Sequence, residues 1–107
     1  MKKQLRSETS VERACCKHAM SLGIPSLKLV KMLGIPDRVF LVATSDGPDT
    51  GKIIFVEFKK EGEEPRAIQE IRIAWLRKLG FITWVIDTVP EFKKLLKEYL
   101  DGRTMDA

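Results

Sequence analysis

Three side chains in this sequence could share one piece of chemistry: Asp37, Glu57 and Lys59. The last two close the run Ile53-Ile54-Phe55-Val56-Glu57-Phe58-Lys59-Lys60, which starts apolar and ends in charge. Its first half predicts a strand covered on both faces. Side chains alternate along a strand, so Glu57 and Lys59 point the same way. A carboxylate and an ammonium at the margin of an apolar core cost free energy unless something compensates them. A bound cation, with an anionic substrate beside the lysine, is one such compensation. Asp37 follows Gly34-Ile35-Pro36 and opens a second apolar run, Val39 to Ala43. If the two strands pair as an antiparallel hairpin, the start of one lies near the end of the other, and Asp37 becomes a neighbour of Glu57. Two close carboxylates repel and raise each other's pKa unless a cation joins them. Oxygen ligands without His or Cys point to Mg²⁺ or Mn²⁺. A lysine one strand position away then sits near a bound water or a phosphate oxygen, which is the arrangement of metal-assisted phosphodiester hydrolysis. Taken locally, Asp37 reads equally well as a turn or cap residue.

The elements that must position these residues can be read in order. Thr9-Ser10-Val11-Glu12 fits a capping box, and a helix is expected from about Ser10 to Leu22, with Val11, Ala14, Cys15, His18 and Leu22 as its apolar stripe. Glu12 is first a capping residue in this reading. Gly23 and Pro25 end the helix. Ser26 to Met32 reads as a short strand, with Leu27, Leu29 and Lys31 alternating against Lys28 and Val30. Thr44 to Gly51 is a hairpin loop whose Asp46 and Asp49 are solvated turn residues. The central strand covers about Lys52 to Lys59. A polar connection, Lys60 to Pro65, leads to a helix from about Arg66 to Leu79. Its stripe is Ile68, Ile71, Trp75 and Leu79, widened by Ala74 and Leu76, with Gln69 on the flank. Phe81 to Ile86 is an apolar strand expected inside the sheet. Thr88-Val89-Pro90-Glu91 opens a last helix with Phe92, Leu95, Leu96, Tyr99 and Leu100 inward, and the chain is expected to fray from Asp101.

The order helix, strand, strand, strand, helix, strand, helix is that of an α/β domain. The first three strands form a meander, and the strand–helix–strand unit from Lys52 to Ile86 calls for a parallel crossover. The result is a mixed β-sheet flanked by helices. A length of 107 residues suits one domain over 1–107, with a core from about 8 to 100. No run approaches a membrane span, and no apolar signal core follows the basic start, so a cytoplasmic protein is expected. The net charge of +4 is compatible with a polyanionic partner. Adjacent Cys15 and Cys16 read as reduced, packed thiols, and the single His18 gives a His-based metal site nothing to build on.

Pro36-Asp37, followed by Glu57-Phe58-Lys59 after a hydrophobic strand, resembles the PD-(D/E)XK nuclease motif. The wider pattern is similar to its VRR-NUC branch. It includes Ser10-Val11-Glu12, Lys28, Gly34-Ile35-Pro36-Asp37-Arg38, Val56-Glu57-Phe58-Lys59, Gln69 and Leu79-Gly80, and it covers about Ser7 to Leu96. The resemblance implies a restriction-endonuclease-like fold and a Mg²⁺- or Mn²⁺-dependent endonuclease. It implies that Asp37, Glu57 and the Phe58 main-chain carbonyl hold the metal, and that Lys59 orients the attacking water and stabilises charge on the phosphate. By the same resemblance Glu12 reaches the site through water or a second metal, overturning its capping reading. Gln69 positions Lys59, water or DNA, and Lys28, Arg38 and Lys60 contact the DNA backbone. Short stand-alone members of virus-like type resemble homodimers that cut four-way junctions. A Holliday junction resolvase in a bacterial or phage-infected cell is therefore the expectation, with exposed apolar residues such as Phe40, Trp84 or Tyr99 as candidate dimer contacts. Two other readings stand beside it: a flap- or nick-directed nuclease with the same site, and a catalytically silent DNA-binding module on the same scaffold.

Overall fold

The computed structural model describes residues 7–30 and 32–105. The elements run α1 (Glu8–Ser21), β1 (Ser26–Lys28), β2 (Arg38–Val42), β3 (Lys52–Phe58), α2 (Ala67–Lys78), β4 (Ile82–Ile86) and α3 (Val89–Met105). They build one four-stranded sheet in the order β1-β2-β3-β4. The β1–β2 and β2–β3 pairs are antiparallel, and β3–β4 is parallel across α2. This is the expected meander followed by a strand–helix–strand crossover.

β3 is flanked by strands on both sides, which accounts for its unbroken apolar run. Ile54, Val56 and Phe58 point to one layer and are fully buried at 0% exposure. There they meet Val11, Cys15 and Ala19 of α1 and Phe92 and Leu96 of α3. Phe40 is the hub of that layer, with ring centroids 6.5 Å from Phe58 and 5.2 Å from Phe92. On the opposite layer Phe55 meets Phe81 edge-on at 5.7 Å, and α2 lies against β4, with Arg77 donating to the Thr83 carbonyl.

Several expectations change. β4 lies at the sheet edge rather than inside it. Its apolar run follows from cover by α2 and α3, not from strands on both sides. β1 stops at Lys28, because its partner strand ends at Arg38 and Gly34-Ile35-Pro36 turns away there; Lys31 falls outside the described residues. α1 is capped by Ser7, whose hydroxyl accepts from the Ser10 amide at 3.1 Å, so Thr9 and Glu12 form no capping box. The inner face of α1 is Val11, Glu12, Cys15 and Ala19, while Leu22 is 50% exposed. α3 continues through Asp101 to Met105, helped by a Lys97–Asp101 ion pair one turn apart. Phe40 is core at 1% exposure and offers no dimer contact, while Trp84 and Tyr99 are half-buried against the core.

Gly34 sets the turn into β2. Its φ is +80°, and a Cβ there would stand 2.8 Å from both the Ile68 carbonyl oxygen and the Ile68 side chain. Gly23 has a similar φ, +77°, with open space around it. Left-handed backbone strain alone costs about 1–2 kcal/mol in a residue with a Cβ. Gly34→Ala is therefore expected to lose clearly more stability than Gly23→Ala in urea unfolding, because only the former adds a clash with backbone. Equal losses at the two positions would remove this role for Gly34.

Candidate active site

The site lies where β2 begins and β3 ends. The register pairs Arg38 with Val56, which sets Asp37 opposite Glu57. One oxygen of Asp37, Oδ2, accepts from the Phe58 amide at 2.8 Å, so its carboxylate is pinned across the end of the ladder. Glu57 and Lys59 are 1% and 5% exposed. The Lys59 amide donates to the Ile86 carbonyl at 2.8 Å, which extends the β3–β4 pairing past the strand end and holds the lysine backbone. The three residues thus come together as the hairpin argument requires.

Glu57 is held from α2. Gln69 in the first turn uses Oε1 to accept from the Arg66 amide at 2.8 Å. Its Nε2 then donates to Glu57 Oε1 at 3.1 Å. The glutamine both caps the helix and orients the carboxylate; its contact is with Glu57 rather than Lys59. The other oxygen, Glu57 Oε2, is buried and has no hydrogen-bond partner. The Glu57 carboxyl is pushed up to about 8, first by burial, then by the charge of Asp37, against the opposing pull of Lys59. Two ionised carboxylates have only acceptors to offer each other. Either a proton or a cation must come between them.

That orphaned oxygen beside a second carboxylate is the arrangement that a hard cation satisfies, so the residues present fit Mg²⁺ or Mn²⁺. No three Asp, Glu, His or Cys side chains among the described residues converge closely enough to hold an ion by themselves. Main-chain carbonyl or water ligands have to complete the set.

The first helix contributes differently from its expected part. Glu12 is 9% exposed and fully engaged. Lys28 Nζ donates to its Oε1 and Oε2 at 3.2 and 2.9 Å, and Arg38 Nε donates to Oε2 at 2.6 Å. Burial alone would raise the Glu12 carboxyl, but the hydrogen bonds and charges of Lys28 and Arg38 hold it below the usual range. Arg38 also donates to the Ser26 hydroxyl at 3.2 Å. Lys28 and Arg38 therefore tie α1 to β1 and β2. On the same helix the Glu8 carboxyl is raised, first by burial and then by the charge of Asp37, while Lys59 lowers it. A helix starting at Ser10 leaves Glu8 outside it; the cap at Ser7 puts Glu8 in the first turn, four residues before Glu12. Lys60 is exposed at the rim.

A solved structure described as a VRR_NUC domain aligns with 88% of this chain and 99% of its own, at 24% identity and a TM-score of 0.74. The fold is that of a VRR_NUC domain. No family model and no curated relative matches the sequence. The VRR_NUC fold thus emerges from backbone likeness, and the Asp37, Glu57 and Lys59 cluster sits at a strand end within it. No helix among the described residues is long and apolar enough to cross a membrane.

The raised Glu57 carboxyl has a thermodynamic consequence. Its folded pKa lies above the ordinary 4.5, so its stabilising contribution is full below 4.5 and lost as pH rises through about 8. The metal-free protein is expected to melt at progressively lower temperature across that window. Added Mg²⁺ should raise the melting temperature most at the alkaline end, where it competes with fewer protons. Glu57→Gln, which mimics the protonated form, should flatten the pH dependence and lose the Mg²⁺ response. A wild-type melting temperature insensitive to both pH and Mg²⁺ would contradict this account of the carboxylate pair.

Proposed function

We propose that this protein is a metal-dependent nuclease that hydrolyses phosphodiester bonds in DNA. The observation that carries the reading is the pairing of Asp37 with buried Glu57, one of whose oxygens lacks a partner, two residues from buried Lys59. Asp37, Glu57 and the Phe58 carbonyl would hold Mg²⁺ or Mn²⁺. Bound there, the ion would supply Lewis-acid polarisation of a phosphate oxygen and acidify a water. The chain's own residues do the rest. The Phe58 amide fixes Asp37, and Gln69 fixes Glu57, so the carboxylates are set before substrate arrives. Lys59 is 5% exposed, and in so dry a place its attraction for charge growing on a phosphate would be stronger than in water.

The helical carboxylate in this reading is Glu8 rather than Glu12. Glu8 senses Asp37 and Lys59, whereas both oxygens of Glu12 are bound by Lys28 and Arg38. Lys28 and Arg38 act first as ties between elements; Lys60 is the free cation nearest the cluster in sequence. The preferred substrate is branched DNA, with a Holliday junction the leading case, cut by a homodimer in the cytoplasm of a bacterial or phage-infected cell. Symmetric incision needs two sites related by a two-fold axis.

Purified protein is to be incubated with labelled four-way junctions, flaps, nicked duplex and plain duplex, with Mg²⁺ or with chelator. Mg²⁺-dependent cleavage is expected, fastest on the junction; no cleavage of any substrate would refute the enzymatic reading and leave the silent DNA-binding module. Lys59→Ala and Asp37→Asn should each lower turnover by roughly 10²-fold or more, with the fold retained by circular dichroism. Glu8→Gln and Glu12→Gln should separate. The first lowers turnover at unchanged melting temperature. The second removes about 2 kcal/mol of stability, because it leaves Lys28 and Arg38 facing an uncharged group.

A further inference from the structure

The connection from β1 to β2 turns apolar side chains to water: Val30 is 75% and Met32 48% exposed. With Lys28, Leu29 and Ile35 they line an open groove of about 390 Å³. Three contacts brace its walls. The Leu29 amide donates to the Asp37 carbonyl at 2.8 Å, and the Ile35 amide to the Met32 carbonyl at 3.2 Å. From α2, Arg72 Nε donates to the Leu33 carbonyl at 3.4 Å. The Leu29–Asp37 bond carries the β1–β2 register on by one residue, and the β2–β3 register sets Asp37 opposite Glu57. Leu29, Asp37 and Glu57 therefore stand in one row, with their side chains on one face. Two strand spacings, roughly 10 Å, separate Leu29 from Glu57. B-form DNA covers that length in about three base steps.

We propose that this groove receives one unpaired base of the DNA, turned out of its stack close to the bond to be cut; DNA as the substrate rests on the reading above. Charge supports a nucleotide as the occupant. At the Lys28 rim two cations, Lys28 and Arg38, face one carboxylate, Glu12, whose lowered pKa keeps it ionised, so one positive charge is left over. An apolar hollow with a surplus cation at its edge matches a base that carries one phosphate. Chemistry supports an unpaired base over a paired one. A paired base shows only its edge, which the apolar side chains of the groove cannot hydrogen-bond. A base turned out of the stack offers its faces, which apolar side chains cover well.

Size agrees, since small-ligand clefts run from roughly 300 to 1,000 Å³. Met32 is unbranched and polarisable, so the groove adapts to purines and pyrimidines alike. The groove thus selects places where turning out a base costs least, at nicks, flaps and branch points, without reading sequence.

The fluorescent base analogue 2-aminopurine tests this on the whole chain. It brightens on leaving a stack, and none of the described residues lining the groove is aromatic, so nothing there restacks and dims it. The protein, with chelator so that nothing is cut, is added to nicked and flapped DNA carrying the analogue at successive positions around the discontinuity. Brightening is expected at one position, within about three nucleotides of the bond cut once Mg²⁺ is added. Val30→Ser and Met32→Ser change exposed side chains and should keep the fold. Each should abolish the brightening and weaken binding of flapped DNA about tenfold, with plain duplex unaffected. No binding of flapped DNA, no brightening at any position, or brightening that both variants retain overturns the proposal. If the variants instead change the mass of the particle in solution and leave the DNA signals alone, the groove belongs to a protein partner and the proposal falls. The readout is fluorescence without turnover. A protein that brightens one position and cuts nothing with Mg²⁺ therefore keeps the groove and loses the nuclease, and one that cuts without brightening does the reverse.

Discussion

Two carboxylates pressed together at the edge of a dry core are the constraint on which this structure turns. Asp37 and Glu57 cannot both carry charge there without a proton or a cation between them. Their positions are held by the backbone: the β2–β3 register sets one opposite the other, and the Phe58 amide pins Asp37. Gln69 then takes one Glu57 oxygen and leaves the other without a partner. A fold that builds such a site accepts a local loss of stability, which the proposed catalytic use would offset.

The scaffold around the site is divided by layer. α1 and α3 cover the face of Ile54, Val56 and Phe58, where the aromatic cluster of Phe40, Phe58 and Phe92 supplies the core. α2 covers the other layer and sends Gln69 to the site from its first turn. The ion-paired group of Glu12, Lys28 and Arg38 joins α1 to the meander. It sits beside the site without being part of the carboxylate pair.

Helix periodicity was informative and ambiguous in the same place. For α3 one apolar stripe exists, and it packs inward. For α2 there are two, and the more regular one, Ile71, Trp75 and Leu79, is exposed in the single chain. Periodicity reports which residues avoid water, not which neighbour covers them.

By itself the sequence determined the element order, the meander, the parallel crossover and the meeting of Asp37, Glu57 and Lys59. These follow from strand alternation, turn residues and the short hairpin, all of which act locally or between adjacent elements. It could not decide which side of α1 or α2 faces inward, or that Glu12 would be consumed by Lys28 and Arg38. Nor could it show that β4 lies at the edge. Each of these depends on how separate elements stack in three dimensions, and residues 12, 28 and 38 meet only after the sheet and α1 have closed on each other. A salt bridge across sixteen or twenty-six residues leaves no periodic trace, because its partners are chosen by packing and not by spacing.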